Sequence, residues 1–231
     1  MKTENKYLYE THLHTRPVSR CAKATVRESL EFYKSLGYAG VFITNHFIDG
    51  NMKFEGCDTY EEKINLFFSD YEEGVKIGEE IGLSVFFGAE TTHAGTDFLI
   101  YGLDKEWFLS HPEIQQMRKK DELKLMIESG ALVVQAHPFR EAKYIECIRL
   151  YPREVHGVEI YNANRTDFEN EMAQKYADSY GLLHFAGSDN HIGGAQQRLG
   201  GMATDTPITD ECDFVKKVLG GKATLFKKSL E

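Results

Sequence analysis

The chain has 231 residues, with 27 Lys and Arg against 36 Asp and Glu and a formal net charge of −9. Hydrophobic residues at 42% and charged residues at 27% describe a folded globular protein and exclude a disordered one. The acidic balance speaks against broad nucleic-acid or membrane-surface binding, which needs a positive field, and leaves room for one local basic pocket.

No apolar run reaches the roughly 18 residues that span a bilayer. No apolar segment follows the charged start MKTENK, so neither a transmembrane helix nor a signal peptide is expected. Cys21, Cys57, Cys147 and Cys212 are scattered, with no C-x-x-C pair. Neither a thiolate zinc site nor a disulfide framework is expected, and the chain reads as cytoplasmic with reduced thiols. No Pro-, Ser- or Gly-rich linker interrupts it, so residues 1–231 read as a single domain.

The first strand-like segment is Tyr7–Thr11. A recurring unit follows, in which a helix-period segment runs into glycine, then a short apolar run, then a residue able to bind metal. Ser29–Leu36 leads through Gly37 and YAGVFITN to His46, and Tyr60–Ile81 leads through Gly82 and LSVFFGA to Glu90. Phe98–Tyr101 is a further strand candidate. Asp121–Ser129 leads through Gly130 and ALVVQA to His137. After a strand candidate at Gly157–Tyr161, Glu169–Tyr180 leads through Gly181 and LLHFAGS to Asp189 and His191.

Ile64, Phe67, Phe68, Tyr71 and Val75 fall on one face at helical spacing. Glycine just past a helix end is the left-handed cap. The runs VFI, VFF and LVV suit strands buried on both faces, as parallel strands under helices are. Repeated βα units make an α/β protein. About seven strands, one short of the standard eight, predict a distorted seven-stranded (β/α) barrel of the TIM-barrel type, with an open doubly wound sheet as the alternative.

The candidate ligands stand where the apolar runs end, the position from which barrel enzymes present catalytic residues. His12-Leu13-His14 follows the first strand; in an extended segment i and i+2 share a face, so both imidazoles can address one metal while Leu13 turns into the core. Thr44-Asn45-His46, Gly88-Ala89-Glu90, Gln135-Ala136-His137-Pro138 and Ser188-Asp189-Asn190-His191 supply the rest. Imidazole mixed with carboxylate suits Zn, Fe or Mn better than Mg or Ca. Seven such residues exceed the needs of one tetrahedral zinc and imply at least two metals.

Arg140, just after His137-Pro138, and Arg165, just after Tyr161-Asn162-Ala163-Asn164, belong near the same mouth. A guanidinium matches phosphate oxygens bidentately, so both are candidate phosphate clamps, with a surface salt bridge as the alternative. Glu159 ends a strand and can support a ligand histidine. His111 reads as a loop or helix-start residue, His156 as the start of a strand on the opposite face, and His184 as a buried, hydrogen-bonded histidine.

The set HLHT, TNH, GAE, QAHP and SDNH, in this order from Tyr9 to His191, resembles the polymerase and histidinol phosphatase (PHP) family. The resemblance implies a distorted seven-stranded barrel and two or three divalent metals, Zn, Fe or Mn. By motif, His12, His14, His46, Glu90, His137, Asp189 and His191 would be ligands, with Glu90 bridging two metals. Two positions depart from the pattern. Arg20 stands where many members have a His or acidic ligand, with only weak contributions open to Ser19 and Cys21, so one metal would be held less tightly or be absent and Arg20 would instead face the substrate. Asp97, in GTDFLIYG, stands where the family usually has a histidine; it is kept as a ligand, with His93 as its rival.

The implied activity is that of a phosphoric ester hydrolase. A metal-activated hydroxide would cleave a small phosphomonoester, histidinol phosphate or another small metabolite. Glu90, Asp189 and His191 would carry the catalytic roles, and Arg20, Arg140 and Arg165 would bind substrate. Two other readings stand beside it. One is a nucleic-acid 3′–5′ exonuclease or phosphodiesterase, as polymerase-associated members are, against which the charge of −9 weighs. The other is a metal-containing domain that binds a phosphorylated ligand without turnover, suggested by Arg20.

Overall fold

A computed structural model describes residues 6–230; residues 1–5 of the charged start, and Glu231, lie outside the described residues. Its strands are β1 (Tyr7–Leu13), β2 (Gly40–Ile43), β3 (Ser84–His93), β4 (Thr96–Tyr101), β5 (Leu132–Ala136), β6 (Gly157–Asn162), β7 (Leu183–Gly187), β8 (Arg198–Thr204) and β9 (Ala223–Ser229). Its α-helices are α1 (Val26–Ser35), α2 (Tyr60–Ile81), α3 (Lys105–Ser110), α4 (Lys119–Glu128), α5 (Asp167–Tyr180) and α6 (Glu211–Leu219). No helix among the described residues is long and apolar enough to cross a membrane.

Local chemistry sets the helix ends. Thr25, Thr59 and Thr166 each cap a helix through the backbone N–H of Glu28, Glu62 or Glu169, whose carboxylate bonds back to the threonine N–H. Gly82 and Gly181 close α2 and α5 in the left-handed region. On α2, Ile64, Phe67 and Phe68 are buried as expected. Tyr71 and Val75 are only half-buried, because the inward face carries Asp70, Gly74, Ile77 and Gly78 instead.

The strands form one sheet in the order β7-β6-β5-β4-β3-β2-β1-β8-β9. All seven expected strands are present. Strand β7 returns to β1: Asn190 N donates to His12 O at 3.1 Å, and His14 N donates to Asn190 O at 3.0 Å. Thr11 Oγ1 donates to Ala186 O at 2.5 Å. Strands β1 to β7 therefore curl into a nearly closed barrel, which overturns the open-sheet alternative.

Two features depart from the sequence reading. The sheet has nine strands rather than seven: β8 pairs antiparallel with Tyr7–Tyr9 of β1, and β9 extends it. Strand β4 also runs antiparallel to both β3 and β5, joined to β3 by a turn through Ala94 and Gly95 rather than by a crossover helix. Its beginning, not its end, thus lies at the ligand-bearing mouth.

The opposite end of the barrel is filled. Phe214 of α6 is fully buried, with ring centroids 4.4 Å from Phe42, 5.3 Å from Tyr101 and 6.1 Å from Phe185. Tyr101 OH donates to Thr11 O at 2.6 Å. His184, expected to be buried, is exposed at the outer start of β7 and pairs with Asp178 at 2.8 Å.

Closure depends on a glycine. A Cβ at Gly187 would stand 2.5 Å from His12 Cβ and 2.6 Å from Glu159 Oε1. Gly187→Ala is expected to lower stability by about 1–3 kcal/mol through overpacking. Urea denaturation checks this as a lower midpoint at unchanged slope.

Candidate metal centre

The ends of β1, β2, β3, β5 and β7 and the beginning of β4 deliver their side chains to one point. Glu90 is its centre and is fully buried. Nitrogens of four imidazoles face its two oxygens: His46 Nδ1 at 2.6 Å, His12 Nε2 at 3.3 Å, and His14 Nε2 and His137 Nε2 at 3.4 Å. Neither oxygen receives an aligned hydrogen bond. Asp189 Oδ1 lies 3.5 Å from His12 Nε2, 3.6 Å from His14 Nε2 and 3.3 Å from His191 Nδ1. The Nε2 atoms of His12 and His14 face each other at 3.1 Å, as the shared-face argument requires.

Donor atoms within 4.8 Å of one another form four overlapping trios: His12, His14, Glu90; His12, His137, Asp189; Glu90, Asp97, His137; and His14, His46, His191. Every one of the seven motif residues is in this cluster. A buried carboxylate crowded by imidazole nitrogens with no aligned hydrogen bond to either oxygen is costly in a bare polar core. It is the arrangement that a cation between the donors would satisfy.

The electrostatics follow from this crowding. Burial pushes the Glu90 carboxyl up, but the imidazoles, His46 foremost, outweigh it and hold the group well below its ordinary range. Burial and the neighbouring His191 and His46 rings push His14 well down. Burial also acts to lower His12, yet Glu159 and Asp189 carry it well above its ordinary value.

Supporting contacts fix the ring orientations. His12 Nδ1 meets Glu159 Oε1 at 2.9 Å, and Glu159 Oε2 accepts from His137 N at 3.0 Å and Asn162 Nδ2 at 2.9 Å. Glu159 thus has the supporting place expected of it. Ser19 Oγ lies 3.2 Å from His14 Nδ1, accepts from His46 N at 3.0 Å and donates to Asn45 Oδ1 at 2.8 Å. Asp70 of α2 accepts from Thr15 Oγ1 at 2.7 Å and from Asn45 Nδ2 at 2.9 Å, tying helix to mouth. Glu10 Oε1 takes the N–H groups of Thr11, His12 and Ser188, and burial pushes its carboxyl up to about 7.

Two ligand candidates sit in the left-handed backbone region that favours glycine, His137 at φ 24° and Asp189 at φ 53°. Non-glycine residues held there store strain, which clusters at functional sites. Each turns the chain sharply at a strand end, so that its side chain points into the barrel mouth.

A cavity of about 660 Å³ opens over the cluster, lined by Cys21, His46, Asp49, Glu90, Asp97, Arg140, Tyr144, Asn164, Arg165, Asp189 and His191 among others. The Nε atoms of Arg140 and Arg165 are buried and have no hydrogen-bond partner.

A family model described as PHP-associated matches residues 167–223. A solved two-domain protein from Bacteroides vulgatus, containing a predicted PHP-like metal-dependent phosphoesterase, superposes with a TM-score of 0.70 at 13% identity. The match covers 96% of this chain and 65% of that one. PHP-type architecture is what these observations share. The chain shares the fold of that PHP-like protein.

PsfC from Pseudomonas syringae matches at TM-score 0.62 and 17% identity over 96% of this chain and 91% of that one. A candidate metal-dependent phosphoesterase from Bifidobacterium adolescentis matches at TM-score 0.53 and 18% identity, over 92% and 95%. This chain therefore spans slightly less than two thirds of the first of these proteins and nearly all of the other two. No curated protein sequence matches it.

The two positions that depart from the motif pattern take different places. Arg20 does not reach the cluster: its Nη1 pairs with Glu55 Oε1 at 2.5 Å, and it lines a separate surface pocket with Arg16 and Lys53. Its neighbour Cys21 faces the cavity instead. Burial pushes the Cys21 thiol up, but the His191 and His46 rings outweigh it and bring it down to about 6. Asp97 is buried 3.8 Å from His137 Nε2 and pairs with Arg140 Nη2 at 2.7 Å, whereas His93 is exposed on the β3–β4 hairpin. The antiparallel course of β4 explains this, since Asp97 opens β4 beside Ala136 at the end of β5. Arg198 pairs with Asp167 at 2.9 Å, outside the cavity lining.

Sequence reasoning gave Ser19 only a weak contribution and assigned no role to Asn45, Glu10 and Asn162. Asn45 and Asn162 stand beside motif residues or at a strand end, which is the one signal that marks them. Glu159→Gln is expected to weaken divalent-metal affinity about 10–100-fold without unfolding the chain, as read by competition with a chromophoric chelator and by circular dichroism.

Proposed function

We propose that this chain is a metal-dependent phosphoesterase acting on a small phosphomonoester. The observation that carries the reading is the buried, donorless Glu90 carboxylate facing four imidazoles beneath two arginines with unpartnered Nε atoms. The donor set fits divalent ions. His12, His14, Glu90 and Asp189 suit one position, Glu90, Asp97 and His137 a second, and His46 and His191 a third. Nitrogen mixed with carboxylate oxygen suits Zn, Fe or Mn. Divalent ions held there supply Lewis acidity and make water a nucleophile at neutral pH.

The chain's own residues supply the rest. Arg165 and Arg140 bind the phosphoryl oxygens and orient the ester over Glu90, with Asp97 fixing the Arg140 fork. His191, partly exposed beside the buried Asp189, is the group from which a proton would pass to the leaving oxygen. The cavity suits a small molecule, and the charge of −9 disfavours a long polyanion. The free cysteines suit a reducing cytoplasm.

The test is hydrolysis of a panel of phosphomonoesters and diesters by protein reconstituted with Mn, Fe or Zn. Monoester turnover is expected, and absence of turnover with filled sites would overturn the reading. Preference for diesters or single-stranded DNA would transfer it to the phosphodiesterase class. Arg165→Ala is expected to raise KM for a monoester about 10–100-fold, matching the ~1.5–3 kcal/mol of a charged hydrogen bond.

A further inference from the structure

The loop after β1 encloses a second cavity of about 450 Å³, lined by Arg16, Ser19, Arg20, Thr25 and Lys53 among others. Its frame is paired backbone. Arg16 N donates to Ala24 O at 3.0 Å, and Arg16 stands opposite Thr25 in a parallel bridge. Ser19 stands opposite Met52 in an antiparallel bridge, with Arg20 N donating to Asn51 O at 3.0 Å and Lys53 N to Val18 O at 2.8 Å. Val18 and Met52 are themselves buried. Three cations from two loops are thus held around one space by backbone that has few ways to move.

No carboxylate lines this cavity, whereas the main one carries Asp49, Glu90, Asp97 and Asp189. Among the described residues, only Arg20 of the three cations has an ion pair, to Glu55 at 2.5 Å, and about half of its side chain stays exposed. Glu28 accepts from Thr25 N at 2.8 Å and from Thr25 Oγ1 at 2.9 Å, and feels the Arg16 charge without pairing with it. A chain of net charge −9 that gathers three cations around one concavity sets up a local field opposite to its own. The inner wall is the buried Ser19, which also meets His14 Nδ1 and His46 N, so the cavity and the metal centre share one residue.

We propose that this cavity is an anion site, separate from the metal centre, that takes a phosphate-class oxyanion, free or as the end group of a small phosphorylated molecule. The guanidinium forks of Arg16 and Arg20 each match a pair of oxygens, and Lys53 adds a compact third charge. Arg20 then has a role at this second cavity that its distance from the metal cluster denies it there. The site stands independently of the metal-dependent reading, because Arg140 and Arg165 line the other cavity.

The experiment is isothermal titration calorimetry of the metal-free protein at millimolar inorganic phosphate and, separately, glycerol phosphate. Binding is expected to be unchanged in Arg165→Ala and weakened about tenfold or more in Arg16→Ala and in Lys53→Ala, each of which removes a charged hydrogen bond. Arg16 and Lys53 are exposed, so both variants should fold, and circular dichroism checks that they do. Glu55→Gln releases Arg20 from its pair and is expected to tighten binding severalfold, a gain that a damaged fold would not give. Tighter binding of glycerol phosphate assigns the cavity to a phosphoryl end group, and tighter binding of inorganic phosphate to the free anion. Absence of binding, or binding that survives both Arg16→Ala and Lys53→Ala, would overturn this inference and leave the phosphoesterase reading to its own turnover test.

Discussion

The structure turns on a carboxylate that has been taken out of water and given no hydrogen-bond donor. Glu90 sits at zero exposure, with nitrogens of four imidazoles within 3.4 Å of its two oxygens. Desolvating such a charge is tolerable only against compensating positive charge. The surrounding sequence is organised to provide it, either as protonated histidines or as bound cations. Everything else at this end of the barrel keeps those rings aimed.

That aiming is done by further buried polar groups, each shared between two elements. Glu159 joins β6 to His12 on β1 and to the backbone of His137 after β5. Asp70 joins α2 to the loops after β1 and β2 through Thr15 and Asn45. Glu10 gathers the N–H groups of β1 and of Ser188 after β7 where the barrel closes. Barrel closure and ligand geometry are thus one network, and strain at His137 and Asp189 is held in place by it.

Much of this was legible in the sequence. Four apolar runs ending in His, Glu or Asp marked β2, β3, β5 and β7, three further strand-like stretches marked β1, β4 and β6, and glycine after each of four helical segments marked a helix end. Strand direction was not legible, because alternation and burial read the same whichever way a strand runs; only the brevity of Ala94-Gly95 hinted at a hairpin. Strand β8, with its Gly200-Gly201 pair, and the half-exposed lysine-bearing β9 lack the apolar run that marked the others. His184 looked interior because its neighbours are apolar, yet the outer start of a strand leaves one face in water. Arg20 and Cys21 differ by one residue, and a loop without helical or strand periodicity gives no basis for saying which of two neighbours faces inward.

The filled end of the barrel has a consequence of its own. Phe214, packed against Phe42, Tyr101 and Phe185, stops the interior like a cork. Water, ions and any ligand therefore reach Glu90 through the rim between Cys21 and Tyr144. Among the described residues that rim serves both entry and exit, so a molecule lodged there screens Glu90 from solvent until it leaves.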